Sequence, residues 1–159
     1  MIVPLLLPAL LLQAGWTTLA PKDERFSVKM PSKPQPQKMS NTQAGYTVDT
    51  RMYRSMVKNG LTQVIVMHPV GKVDDTFRKA VITGFKGGFL RSSGGKELSQ
   101  TTGKLGAYPA TRVTFSLGNT RGEYWALQSK GDIYVVLAVA APEKLEALKK
   151  PFFSSFKLK

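Results

Sequence analysis

"DIYVVLAVA", residues 132–140, is apolar at nearly every position from Ile133 onward. A strand with one wet face alternates apolar and polar side chains, so an unbroken apolar run is the mark of a strand covered on both sides. Whatever sheet contains this segment is expected to have a layer against each face.

Two further segments, "TRVTFSL" (111–117) and "TRGEYWALQS" (120–129), precede it, separated by Gly118-Asn119 and Lys130-Gly131. With two-residue turns at both places the three strands form a meander. Val113, Tyr124 and Leu137 then make one row, with Thr111, Ala126 and Val135 beside them on the same face. Arg112, Trp125 and Val136 lie opposite, with Arg121 and Glu123 nearby. Upstream, Asn59-Gly60 predicts another hairpin; a tight turn there sets Tyr53 opposite Val66 and Met52 opposite Met67. Tyr53, Val57, Val64 and Val66 share one face, and Met52, Arg54, Met56 and Ile65 the other. "FSVKM" (26–30) alternates as a half-buried strand and ends at Pro31, after which "PSKPQPQK" (31–38) reads as a proline-stiffened loop.

Two segments carry helical periodicity. In "GKVDDTFRKAVITGFKGGFL" (71–90), Phe77, Val81, Phe85 and Phe89 recur every four residues, with Asp74 or Asp75 as N-cap. Gly84, Gly87 and Gly88 suit close packing on a sheet. Pro142 starts a second helix as its first residue. Leu145 and Leu148 face inward, Pro151 breaks the run, Phe152 and Phe153 plug the core, and "SFKL" (155–158) closes as a strand. The fold expected is α+β: an antiparallel β-sheet flanked by helices on both faces, an α/β/α sandwich, with residues 15–159 as one domain.

Residues 1–14, "MIVPLLLPALLLQA", are uncharged and too short to span a bilayer, and Ala14 and Gly15 follow the apolar run. This is the outline of a secretory signal peptide, although no Lys or Arg follows Met1. An exported chain is the expectation, periplasmic or extracellular, with no transmembrane span in the mature protein. There is no cysteine, which rules out disulfides, thiolate catalysis and a cysteine-linked lipid anchor. Twenty-three basic residues against ten acidic ones give a net charge of +13, a surface that attracts anionic lipids and envelope polymers. With a leader present, nucleic acid is not the expected partner.

Residues suited to catalysis are few. His68 is the only histidine, and no G-x-S-x-G elbow accompanies it. "SSGGKELSQTTGKL" (92–105) fails the phosphate-loop spacing. Asp74 and Asp75 are adjacent, so their side chains diverge, and they begin a helix where acids cap. Met52, Met56 and Met67 share a hairpin face; gap-filling is the reading preferred over a Cu(I) site. No catalytic, cofactor or metal residue is expected. Arg112, Arg121 and Trp125 are the candidate contacts for a ligand or polyanion, as a patch in which a guanidinium over an indole is worth up to about 2 kcal/mol when dry; helix packing over Trp125 is the competing structural role.

"FSVKMP" at Phe26–Pro31, "FFSSFKL" at Phe152–Leu158 and Trp16 upstream resemble a family of uncharacterised exported bacterial proteins with F-S-V-x-M-P near the N-terminus and F-x-x-S-F at the C-terminus. The resemblance implies a layout similar to the PsbP extrinsic proteins of photosystem II and the Ran-binding Mog proteins, which dock on larger complexes. Many members are lipoproteins, a pattern this chain lacks, and no functional residue transfers. The expected function is a non-catalytic exported domain docking on an envelope complex or partner protein. The alternatives are a binder of anionic lipid or envelope polymer through a basic surface, and an enzyme of unrecognised type.

Overall fold

Val113 lies opposite Tyr124, Tyr124 opposite Leu137, and Trp125 between Arg112 and Val136, as two-residue turns require. The computed structural model describes residues 15–43 and 45–159, so the leader region lies outside the described residues. In chain order the elements are β1 (Thr17–Leu19), β2 (Phe26–Met30), β3 (Gln35–Gln43), β4 (Tyr46–Val57), β5 (Gly60–Val70), α1 (Asp75–Ser93), β6 (Lys96–Leu105), β7 (Tyr108–Leu117), β8 (Thr120–Ser129), β9 (Asp132–Ala140), α2 (Pro142–Ser155) and β10 (Lys157–Leu158). Seven strands form an antiparallel sheet in the order β3-β4-β5-β9-β8-β7-β6, and β1, β2 and β10 form a small second sheet.

The β4–β5 hairpin turns at Lys58-Asn59, with Val57 opposite Gly60 and Asn59 at φ 63°. Tyr53 therefore faces Val64, two residues from the expected partner. Gly60 is needed in the strand: a Cβ there would sit 2.9 Å from the Val139 carbonyl and 3.2 Å from Leu148 Cδ2. A two-residue slip leaves every side chain on its expected face. Tyr53, Val64 and Val66 enter one core cluster, Ile65 and Met67 the other. "PSKPQPQK" is not wholly a loop, because its second half starts β3. Pro36 is tolerated there because β3 is an edge strand.

Val135 and Val136, on opposite faces of β9, are each 0% exposed, so this strand is covered on both sides. The covers differ from the expected pair of helical layers. On the Val136 face lie Leu145, Leu148, Phe152 and Phe153 of α2 together with Phe26, Val28 and Met30 of the small sheet. The two ends of the chain meet here: Leu158 pairs with Phe26, and Phe156 stacks on Phe26 with ring centroids 6.0 Å apart. The terminal motifs are thus the two halves of one packing unit. Helix α2 also runs through Pro151. An interior proline costs ~3 kcal/mol, but burying a phenylalanine contributes roughly 1.5–3 kcal/mol, and Phe152 and Phe153 are both buried just beyond it.

On the Val135 face, α1 is capped as expected, Asp74 Oδ1 accepting from the Phe77 N–H at 2.8 Å and Gly94 ending it in the left-handed region. Phe85 stands edge-on to Tyr124 at 5.6 Å and Phe89 to Phe115 at 5.1 Å. Yet no residue of α1 is buried, and a Cβ added at Gly84, Gly87 or Gly88 would meet nothing within 4 Å. The helix meets the sheet through these edge-on rings, and the glycines do not bring it closer. The expected α/β/α sandwich is therefore corrected: 56% of the described residues are strand and 23% helix, in two antiparallel sheets without a helical layer sealing each face. Among the described residues, no helix is long and apolar enough to cross a membrane.

Candidate functional site

Three places among the described residues are notable for gathering polar side chains or leaving space. The first is a pocket of about 290 Å³ lined by Asp23, Glu24, Arg25, Asp49, Arg51, His68 and Asp132. Strand alternation puts Asp49 and Arg51 on one face of β4, and the register sets His68 opposite Asp49. The segment between β1 and β2 then folds over them. Glu24 carries a fully buried side chain. Its Oε1 accepts from Arg51 Nη1 at 3.1 Å and Tyr53 OH at 3.4 Å, and lies 3.3 Å from His68 Nε2. His68 Nδ1 sits 2.9 Å from Asp132 Oδ1, while Arg25 donates to Asp132 Oδ2 at 2.9 Å and Arg51 to Asp23 Oδ2 at 2.7 Å. Burial works against the Arg51 charge, but Glu24 and Asp23 outweigh it and hold the group above its ordinary value. Burial and the nearby Glu24 charge push the Tyr53 phenol up to about 12, so it stays protonated as a donor.

Both ring nitrogens of His68 thus face carboxylates, and the lining contains no hydroxyl, thiol or amine nucleophile. The cluster ties the 23–25 segment to β4, β5 and β9, and so sets the small sheet against the large one. Sequence reading missed it because its bonded pairs bridge up to 107 residues. The lone histidine was the one visible signal. No group of three or more His, Asp or Glu among the described residues is placed to hold a metal ion.

The second place holds the residues expected to contact a ligand. Arg112, Arg121 and Trp125 do share a face. Arg112 Cζ lies 5.8 Å from the Trp125 ring centroid. Between them is Glu123, 3% exposed, which accepts from Arg112 Nη2 at 2.9 Å, Trp125 Nε1 at 3.0 Å and Lys149 Nζ at 2.7 Å. Burial would raise the Glu123 carboxyl, but the bonds from Arg112 and Lys149 prevail and hold it below the ordinary glutamate range. Arg112 and Trp125 are thereby engaged internally, while Arg121 is exposed at the start of β8. Lys149 arrives from α2, a contact that strand periodicity does not reveal.

The third is an open groove of about 690 Å³ between α1 and strands β6–β8. Ile82 and Val113 supply apolar walls, Thr102, Thr111 and Ala126 a floor of short side chains, and Lys79 and Lys86 stand on the helix side. The groove exists because α1 is held away from the sheet.

The seven-stranded antiparallel sheet, with the three-stranded sheet and α2 on one face, is a PsbP-like fold. The solution structure of cyanobacterial PsbP (CyanoP) from Synechocystis sp. PCC 6803 is similar to this chain at a TM-score of 0.62, over 92% of this chain and 94% of that one, with 12% identity. LpqN of Mycobacterium tuberculosis, described as involved in cell envelope biogenesis, matches at a TM-score of 0.46 over 91% and 90% of the two chains, with 13% identity. A protein from Bacteroides thetaiotaomicron matches at 0.43 with 12% identity; the match covers 84% of this chain and 45% of that one. At such identities the CyanoP likeness establishes the fold alone. No family model matches the chain, and no curated protein does.

Proposed function

We propose that this chain is a non-catalytic exported domain that docks on a partner protein of the cell envelope. One contrast carries the reading: the ionisable groups suited to chemistry are consumed in internal pairs, whereas large apolar side chains stand in water. Glu24, His68, Asp132 and Glu123 all have partners within the fold. Meanwhile Met39 is 50% exposed and Tyr46 45%. Both lie on one face of the β3–β4 hairpin, next to half-buried Val48, and the Tyr46 ring stacks on Phe77 at 4.4 Å. β3 is also a long edge strand whose outer backbone groups are open to pairing. A grouped apolar face beside a free strand edge suits a protein partner. The leader-like residues 1–14, the terminal motifs and the PsbP-like fold support export and membership of the exported bacterial family.

A second reading has its own support. Seven of the ten acidic residues (Asp23, Glu24, Asp75, Glu97, Glu123, Asp132 and Glu146) are held in ion pairs, so the excess of bases is left to face outward as a polyanion-binding surface. Affinity capture from the native envelope fraction at low and moderate salt separates the two. Docking predicts a protein retained through both washes and lost with Met39→Glu, which should leave the melting temperature unchanged. Loss of all bound material at moderate salt refutes docking in favour of polyanion binding.

A further inference from the structure

The groove under α1 has a composition that selects a ligand, and we propose that it binds the single acyl chain of a fatty acid, with the carboxylate held at Lys79. Its volume of about 690 Å³ falls among those of small-molecule sites. Floor and walls are chiefly apolar or short: Val113, Thr111 and Ala126 from the sheet, Ile82 from the helix. The two charged side chains that line it are both lysines, and no carboxylate is among the lining residues. Lys86 is fixed in place, donating to Gln100 Oε1 at 2.6 Å and pairing with Glu97 at 2.9 Å. Lys79 is exposed, two helical turns away (about 10 Å along the axis) on the same side of the groove.

Charge complementarity therefore favours an anion, and the apolar floor favours a hydrocarbon tail behind it. This arrangement contrasts with the His68 pocket, where four carboxylates converge. It also explains why a nineteen-residue helix carrying Val81, Ile82, Phe85, Phe89 and Leu90 buries none of them fully. An acyl chain between Ile82 and the Thr111–Ala126 floor supplies the missing apolar contact. The groove lies on the β6–β8 side of α1, whereas Met39 and Tyr46 lie on β3 and β4 at the other end of the sheet.

The test is calorimetric titration of the mature chain with decanoate and dodecanoate below their micellar concentrations, with dodecanol and acetate as controls. One site per chain is expected. Affinity should rise about fourfold for each methylene added, and acetate should not bind. Dodecanol should bind at least fivefold more weakly than dodecanoate, and Lys79→Glu should weaken dodecanoate by a similar factor. Thr102→Trp fills the groove from exposed β6 and should abolish binding. If that variant fails to fold by circular dichroism, Thr83→Trp from the helix side serves instead. Absence of binding, affinity independent of chain length, or binding unchanged by the tryptophan variant would each overturn the proposal. So would adsorption seen only on anionic phosphatidylglycerol vesicles.

Discussion

Replacing Glu123 by alanine is expected to be among the more damaging changes on the α2 face, even though two of its three partners reach solvent. The carboxylate is 5% exposed and accepts from Arg112, Lys149 and Trp125. Breaking a buried ion pair from one side costs ~3–5 kcal/mol, because the remaining charge is left without a partner. Here the cost falls at the low end. Arg112 is 38% exposed and recovers water, and Lys149 keeps Glu146 at 2.6 Å. The Trp125 indole N–H loses its acceptor outright, worth ~1–3 kcal/mol. A loss of ~3 kcal/mol corresponds to a fall of about 9 °C in melting temperature for a domain of this size. Urea denaturation measures it directly, with an unchanged m-value as the sign that the denatured state is unaltered. Glu123→Gln retains an acceptor for Trp125 and should lose about half as much. A loss under ~1 kcal/mol for Glu123→Ala would refute the reasoning. It would mean that Arg112 and Trp125 are not held by Glu123 and are open to an outside ligand.

The same carboxylate sets a pH dependence. Its folded value is depressed, so its contribution is complete above the unfolded value of about 4.3 and is lost as pH falls through the lower folded one. Urea midpoints should drop between pH 5 and pH 3, and less so in Glu123→Gln; identical slopes would contradict this. Gly122→Ala should cost ~1–3 kcal/mol by overpacking, since a Cβ there would enter the ring of fully buried Phe115; an unchanged melting temperature would show that the ring can move aside. Asp74→Ala should cost ~1 kcal/mol through loss of the N-cap, seen as faster amide exchange in the first turn of α1, and protection equal to wild type would argue that the cap is idle.

The strands and turn positions of the C-terminal meander and the face of each residue in the β4–β5 hairpin were legible in the chain, but β3 and most of β6 were not. The legible parts follow from period-two alternation and turn residues, which act over a few positions. Burial of Val135 and Val136 was legible for the same reason: an apolar run has to be covered. The identity of the cover was not. Nothing local to "FSVKMP" or "FFSSFKL" says that they pair with each other and, with the rest of α2, close one face. Nor does the four-residue spacing of Phe85 and Phe89 reveal that their rings meet Tyr124 and Phe115 edge-on and that α1 has no buried residue. Pro151 looked like a helix end until the burial of Phe152 and Phe153 outweighed it, and Gly60 looked like a turn until β9 and Leu148 were seen against it. Arg112, Arg121 and Trp125 were placed correctly on one face, but Glu123 and Lys149 decided what two of them do. Backbone periodicity is a property of neighbours in sequence, and so the meander and hairpin strands and their faces belonged to the sequence. Which charges neutralise each other, and where a helix leaves a groove, depend on groups from different elements, 11 to 107 residues apart among the pairs described, and only the tertiary structure brought them together.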